Sequence, residues 1–104
     1  MNLKQHKDMN KICSITHEPY DGFGNNANPF YGRCSDYANH YYVITARLAG
    51  VSREDLDKIT GHTEEERNDM LKEEIDRFFK ENKEFKKNLD NDWERMLNIR
   101  KQIA

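Results

Sequence analysis

Long apolar runs are missing from this sequence, and their absence argues against a membrane-spanning protein. The longest nonpolar stretch lies near residues 41–46, whereas a helix that spans a bilayer needs about 20 such residues. The amino-terminal region contains no continuous apolar segment of the kind that defines a secretory signal peptide. We therefore expect a cytoplasmic protein with no membrane partner.

Cysteine is scarce. The chain has only two, Cys13 and Cys34, and in the cytoplasm we expect thiols or metal ligands rather than a disulfide. A structural zinc site needs four ligands, so it would also require His17 and His40, the histidines that follow each cysteine. Two interpretations stay open: a zinc ion held by these four residues or, as we prefer, no cofactor and a module held together by apolar packing.

An excess of one charge is also missing. The net charge is −2, which gives no general attraction for nucleic acid or for an anionic membrane surface. Charged residues make up 35% of the chain and hydrophobic residues 36%, so we expect a core of modest size. The five tyrosines, five phenylalanines and one tryptophan supply enough large apolar surface to predict a folded domain.

Three regions are predicted along the chain. Residues 1–11 are polar and without periodicity, which is typical of a flexible lead-in. Residues 12–50 combine turns with one helix, and residues 51–104 show the helical spacing of apolar side chains. The predicted fold class is mainly α, with a small irregular or β part near the amino terminus.

The 12–50 unit contains a turn-rich loop followed by a helix. Glycine, asparagine and proline are concentrated in residues 18–32. These residues predict tight turns, with three aromatic side chains folded inward: Phe23, Phe30 and Tyr31. A helix is predicted to begin at Ser35 or Asp36, which are N-cap residue types, and to end before Gly50. Its apolar residues recur at helical spacing: Tyr37, Tyr41, Ile44 and Leu48.

The 51–104 region begins with a short helix predicted at residues 53–60. Thr63 and Glu66 then have the spacing of a capping box, in which each side chain bonds to the backbone of the other residue. A long amphipathic helix is predicted over residues 64–103. The alternative is a helical hairpin with its turn at residues 88–91, where Asn and Asp are concentrated.

Apolar residues of the long helix follow a heptad pattern. Its predicted face consists of Leu71, Ile75, Phe78, Asn82, Phe85, Leu89, Trp93 and Met96. This face either joins copies of the chain in a coiled coil, with Asn82 fixing the register, or packs on the amino-terminal unit of the same chain. Bulky Phe78 and Phe85 suit the second arrangement, but the pattern leaves both open.

Several short motifs occur in an order that resembles a known family. They are Ile12-Cys13, Gly24-Asn-Asn-Ala-Asn-Pro29, Gly32-Arg33-Cys34, Asn39 and Val43-Ile44-Thr45-Ala46-Arg47-Leu48. This order resembles small zinc-knuckle proteins of bacteriophages and mobile elements, which have Cys-x-x-Cys, a Gly-Asn-Asn/Pro loop, Gly-Arg-Cys-Cys-x-x-Cys-Asn and Val-Ile-Pro-Ala-Arg-Leu. The resemblance implies a treble-clef-like knuckle module and a phage context, hence the cytoplasm of a host cell.

The chain departs from that family at the metal-binding positions. Thr16, Ser35 and Ala38 stand where the family has cysteines, and only Cys13 and Cys34 match. The resemblance therefore implies a degenerate zinc knuckle.

No catalytic constellation is evident in the sequence, so we predict a non-catalytic phage accessory protein that binds a host protein. By analogy with the resemblance, it would inhibit a host enzyme or a defence system. Because Tyr and Arg are enriched in binding hot spots, the predicted partner-binding residues are Arg33, Tyr37, Tyr41, Tyr42 and Arg47. Two alternatives stay open: a nucleic-acid-binding module that retains zinc, which two arginines support only weakly, and a small metal-dependent nuclease.

Overall fold

The computed structural model describes residues 11–103, which form four helices and one small sheet. This architecture confirms the coarse prediction of a mainly helical chain with a small β part. The predicted lead-in, residues 1–11, lies outside the described residues except for Lys11. The Lys11 carbonyl accepts a hydrogen bond from the Tyr20 N–H at 3.0 Å.

The sheet joins two short antiparallel strands, β1 (Asn25–Asn26) and β2 (Arg33–Cys34). Asn25 lies opposite Cys34 in the register. The loop between the strands brings Phe30 and Tyr31 into the core, as predicted from the density of turn residues around them.

Phe23 lies outside the core, contrary to the prediction, and is 95% exposed. Gly22 and Gly24 have φ values of 82° and 73° and turn the chain on either side of it. A Cβ added to Gly24 would lie 2.6 Å from the ring of Tyr20. Tyr20 packs against the core at this turn and takes the place that the sequence suggested for Phe23.

Helix α1 has three consecutive parts: α-helical Asp36–Ala38, π-helical Asn39–Val43 and α-helical Ile44–Leu48. Ser35 is the N-cap, and its hydroxyl accepts the Ala38 N–H at 3.1 Å. Gly50, with a φ of 80°, lies just beyond the end of the helix. The predicted N-cap and the predicted glycine stop are therefore both confirmed.

The π-helical segment changes which side of α1 is buried. Of the four residues in the predicted apolar stripe, only Tyr41 is buried, whereas Tyr37, Ile44 and Leu48 are exposed. A π turn contains more residues than an α turn, so the spacing of four, three and four is not kept across it. All but the first residue of the π-helical segment are buried, four neighbours in sequence: His40, Tyr41, Tyr42 and Val43. The α-helical parts add Ala38, Thr45 and Ala46.

Two capping boxes begin the next two helices. Helix α2 (Arg53–Asp57) begins after Ser52, which forms a capping box with Asp55, and it is shorter than the predicted 53–60. Helix α3 (Glu64–Glu81) begins after Thr63. The Thr63 hydroxyl accepts the Glu66 N–H at 3.1 Å, and the Glu66 carboxylate accepts the Thr63 N–H at 2.8 Å. The capping box predicted here is confirmed.

The predicted helix over residues 64–103 is broken at Asn82. Its φ of −127° and ψ of 69° are not helical, and α4 (Lys83–Ile103) begins directly after it. The Asn82 amide donates to the Phe78 carbonyl at 2.9 Å, so it caps the end of α3. The turn considered for residues 88–91 is wrong, because these residues lie inside α4.

Helices α3 and α4 pack on the amino-terminal unit of the same chain. Ile75 and Phe79 of α3 are buried. Four further residues of the predicted face are partly buried against the same core: Leu71, Phe85, Leu89 and Trp93. Met96 is half-buried. Phe78 is 39% exposed, although the heptad pattern placed it on the buried face. Within α3 the buried side chains are those of Asn68, Ile75 and Phe79, so the residue four positions after Ile75 faces the core and Phe78, three positions after it, does not. The intramolecular arrangement agrees with one of the two interpretations, and self-association stays a prediction.

Helix α4 runs antiparallel to α1 and covers its aromatic side. The His40 ring bonds to the Leu89 carbonyl at 2.8 Å. The Trp93 ring centroid lies 5.7 Å from that of Tyr37. Near the other end, the Arg100 guanidinium lies 3.2 Å from the Asp36 carboxylate. These contacts join residues far apart in sequence and close the domain.

Candidate functional site

The structure buries two of the predicted partner-binding residues. Tyr41 and Tyr42 are 4% and 7% exposed, and their hydroxyls donate to Asp90 at 2.7 Å and to Asp76 at 2.5 Å. Burial, reinforced by these bonds to carboxylates, raises the pKa of both tyrosines. The prediction that they form a binding surface is wrong for this structure, because their rings and hydroxyls are used inside the fold.

The other three predicted partner-binding residues, Arg33, Tyr37 and Arg47, are exposed. The Arg33 guanidinium donates to the Phe23 carbonyl at 3.0 Å, and the Arg47 Nε donates to the Asn28 carbonyl at 2.9 Å. Both arginines therefore brace loops. Tyr37 is 44% exposed and contacts Trp93, so the basic and aromatic surface on which the nucleic-acid alternative rested does not form as expected.

The four predicted zinc ligands do not surround one point. The His17 ring bonds to the Asp69 carboxylate at 2.9 Å, which raises the pKa of His17, while His40 bonds to the Leu89 carbonyl. Within residues 11–103, no group of three or more His, Cys, Asp or Glu side chains is arranged to hold a metal ion. The set Cys13, His17, Cys34 and His40 is therefore contradicted as a single site.

Cys13 contacts Thr16 and Ser35, two of the residues that stand where the resembling family has cysteines. Its Sγ accepts the Thr16 N–H at 3.4 Å and the Ser35 hydroxyl at 3.8 Å. The Ser35 hydroxyl oxygen in turn accepts the Ala38 N–H. Burial opposes ionisation of the Cys13 thiol, but hydrogen bonds from Thr16, Ser35 and Ile15 lower its pKa below the ordinary value. This sulfur is held in a set of donors suited to negative charge.

Cys34 has a different environment. It is fully buried, as Cys13 is, but no hydrogen bond from residues 11–103 to its sulfur offsets the burial. Burial, followed by the nearby Cys13, therefore raises the pKa of Cys34 to about 12. A thiol in such apolar surroundings behaves as a small core side chain. The two cysteines therefore have different environments. The sequence did not predict this difference, because it identified both as possible metal ligands.

Asn68 of α3 ties the amino-terminal unit to the helices, and no sequence pattern marked it. It is 2% exposed, and its side-chain oxygen accepts the Tyr31 N–H at 2.9 Å. Its amide group donates to the carbonyls of Ser14 at 3.2 Å and Tyr31 at 3.0 Å. One side chain thus satisfies three buried backbone groups in two loops.

Replacement of Asn68 by alanine is expected to lower the free energy of unfolding by about 3 kcal/mol. The Tyr31 N–H and the Ser14 carbonyl would lose the Asn68 side chain as partner, and the Tyr31 carbonyl would keep only the Ser14 hydroxyl. Urea denaturation measures this change. Asn98→Ala, at an exposed position of α4, is the matched control and should cost less than about 0.5 kcal/mol. Equal losses in the two variants would contradict the role assigned to Asn68.

An apolar groove of about 390 Å³ lies between the end of α1 and helices α3 and α4. Its principal side chains are Leu48, Val51, Leu71, Ile75, Phe78 and Phe85. Leu48 is 73% exposed and Phe78 39% exposed, so both present apolar surface at the groove. One sequence signal could have indicated it: Phe78 and Phe79 are adjacent on a helix, and a helix with one buried stripe rarely buries two neighbouring side chains fully.

A second depression, of about 360 Å³, continues the groove along α3. Val51 and Leu71 line both, and Ile59 and Met70 lie further along. The charged residues that line the two depressions are all acidic: Asp55, Glu73 and Glu74. The result is one apolar strip with an acidic border.

Comparisons with known proteins leave the family open: no family model matches the sequence, and neither a curated protein nor a solved structure matches the chain. The resemblance to phage zinc-knuckle proteins therefore stays a prediction. In the part of the chain that the structure describes, none of the helices combines the length and apolar character needed to cross a membrane.

Proposed function

We propose that this protein is a non-catalytic binding module that recognises another protein through the apolar groove beside Leu48 and Phe78. The observation that carries the proposal is the groove itself, in which apolar side chains remain exposed although 35% of the chain is charged. Contiguous exposed apolar surface of this kind marks protein interaction sites.

The energetics of the groove suit a small, specific interface. Complete burial of one Leu or Phe side chain contributes about 1.5–3 kcal/mol, and Leu48 and Phe78 both retain surface that a partner would cover. They lie next to residues that are already packed, such as Ile75. A large apolar side chain beside well-packed neighbours is a common setting of a binding hot spot.

The amino-terminal unit, residues 12–50, is proposed to be a knuckle scaffold that no longer depends on metal. Three residues stand where the resembling family has cysteines. The Thr16 N–H and the Ser35 hydroxyl donate to the Cys13 sulfur, and the Ala38 N–H donates to the Ser35 hydroxyl. These bonds support the proposal that protein donors have replaced metal coordination. The same resemblance supports a phage or mobile-element origin and a host protein as the partner, whose activity the complex would inhibit.

Photo-crosslinking tests the binding site. A benzophenone amino acid that replaces Leu48 is expected to give a discrete covalent adduct with one protein in bacterial cells, because this position borders the groove. The additional change Phe78→Ser should reduce the adduct about tenfold by removing one apolar anchor. The matched control carries the crosslinker at Glu94, an exposed residue of α4; an equal adduct from that position would contradict the proposal.

A further inference from the structure

The wall of the groove formed by α2, α3 and the segment between them is strongly acidic. Residues 53–76 contain ten acidic and four basic residues, a net charge of −6, whereas the whole chain has −2. Two of the four basic residues, Arg53 and Arg67, bond to the loop that contains Tyr31. Lys72 is paired with Asp76 at 3.0 Å. Of the acidic residues in this segment, Asp55, Glu73 and Glu74 line the groove and its extension. Glu74 is paired with Arg77 at 2.6 Å, so the negative charge that a partner would meet there comes mainly from Asp55 and Glu73.

The dimensions of the apolar strip match a helix. Met70 and Phe78 are eight residues apart on α3, which corresponds to about 12 Å along the helix axis. Apolar residues at i, i+4 and i+7 of a partner helix span about 10 Å, so three anchors fit within this length. An extended peptide suits the strip less well, because the walls are helices whose backbone groups are bonded internally and offer no strand edge.

We propose that the groove binds an amphipathic α-helix of a partner protein in which basic residues flank the apolar face. This inference rests on the proposed function of the groove and specifies its occupant. The apolar stripe of the partner helix covers Leu48, Leu71 and Phe78, while its basic residues face Glu73 and Asp55 across the border. The acidic wall repels nucleic acid, which sets this surface apart from a nucleic-acid interface.

Fluorescence anisotropy with three model peptides tests the proposal. Each peptide is about 15 residues long, a length at which helix formation becomes measurable. The first has Leu at i, i+4 and i+7 with Lys on both flanks, the second replaces each Lys with Glu, and the third keeps the Lys but scrambles the Leu positions. We expect the first peptide to bind about tenfold more tightly than either of the others at low salt, and added salt to weaken it.

Charge reversal on the protein provides the specific control. Glu73 is exposed on α3 and lines the extension of the groove. The variant Glu73→Lys should weaken the Lys-flanked peptide about threefold and strengthen the Glu-flanked one, because the sign of the local field changes. Leu48→Ser should weaken both peptides. Glu94→Lys makes the same charge change at an exposed position of α4 outside the groove. It should change the affinity for each peptide less than Glu73→Lys does, because it alters the net charge of the protein but not the border of the groove.

The outcomes separate this inference from the proposed function. Equal affinity for the Lys-flanked and Glu-flanked peptides would overturn the basic partner while leaving the groove as a binding site. Failure of every peptide, together with a specific adduct from position 48, would overturn the helical occupant alone. Concentration-dependent dimerisation that Leu48→Ser abolishes would identify a second copy as the occupant and overturn the inference.

Discussion

Replacement of Phe79 by alanine is expected to lower the free energy of unfolding by about 3–5 kcal/mol, the usual cost of truncating a buried aromatic side chain. Phe79 is 7% exposed, and its ring lies 6.1 Å from that of Tyr42 and 6.3 Å from that of Phe85. It therefore joins α1, α3 and α4 at one point. Because small domains have total stabilities of about 5–15 kcal/mol, a large share of the stability should be lost. Thermal and urea denaturation measure it.

Phe78→Ala is the matched control, because it makes the same chemical change one residue earlier on the same helix. Phe78 is 39% exposed and lies at the edge of the apolar groove. Its truncation should lower the free energy of unfolding by about 1 kcal/mol. The main effect should be a lower affinity for a partner in the groove. A larger loss of stability from Phe78→Ala than from Phe79→Ala would restore the heptad assignment and contradict the packing described above.

Three cysteine substitutions are expected to give this protein a zinc site. In the combined variant Thr16→Cys, Ser35→Cys and Ala38→Cys, the new thiolates would join Cys13, whose sulfur already contacts Thr16 and Ser35. Four thiolates meet the ligand requirement of a structural zinc site. We expect one zinc per chain by elemental analysis and a melting temperature that falls when the metal is chelated, because binding of the metal stabilises the folded state.

Two backgrounds make this experiment decisive. Cys13→Ala in the combined variant should abolish stoichiometric zinc binding, because Thr16 and Ser35 lie against the Cys13 sulfur. Cys34→Ala should retain zinc binding, because neither residue bonds to the Cys34 sulfur and burial raises the pKa of that thiol. The unmodified protein should melt at the same temperature with and without chelator. Zinc binding that depends on Cys34, His17 or His40 would contradict the scaffold proposed here.

Local signals in the sequence predicted the beginnings and ends of helices well. The capping box of Thr63 and the N-cap Ser35 involve side chains that bond to the backbone a few residues away. The stop at Gly50 depends on a positive φ of 80°, which glycine adopts without steric cost. Such interactions depend on residue type and short spacing, so one sequence contains the information needed to identify them.

Features that depend on distant contacts were harder to predict. The π-helical segment buries four neighbours from His40 to Val43, and distant helices cover it: α4 contacts His40 and Tyr41, and α3 contacts Tyr42. The break at Asn82 interrupts a heptad pattern that continues on both sides. In each case tertiary packing decides between local alternatives that have similar energies.

The candidate site was missed for a related reason. Tyr41 and Tyr42 were predicted at the surface because tyrosine is common at interfaces, but Asp76 and Asp90 of α3 and α4 bond to their hydroxyls inside the fold. Leu48 and Phe78 were assigned to buried stripes, yet they border the groove. An apolar stripe shows which residues avoid water, whereas the tertiary fold decides whether the chain or a partner covers them.

The one-residue joint at Asn82 has a consequence for how the chain can vary in length. Each residue of an α-helix rotates the next by about 100°, so the number of residues between Phe79 and Phe85 sets the angle at which all of α4 faces α1. One inserted residue would turn Leu89 and Trp93 away from the aromatic side of α1, and one deleted residue would do so in the opposite sense. Side chains at the joint are exposed, so a substitution there affects mainly the cap that the Asn82 amide forms on α3. A change in the number of residues would instead rotate the whole of α4.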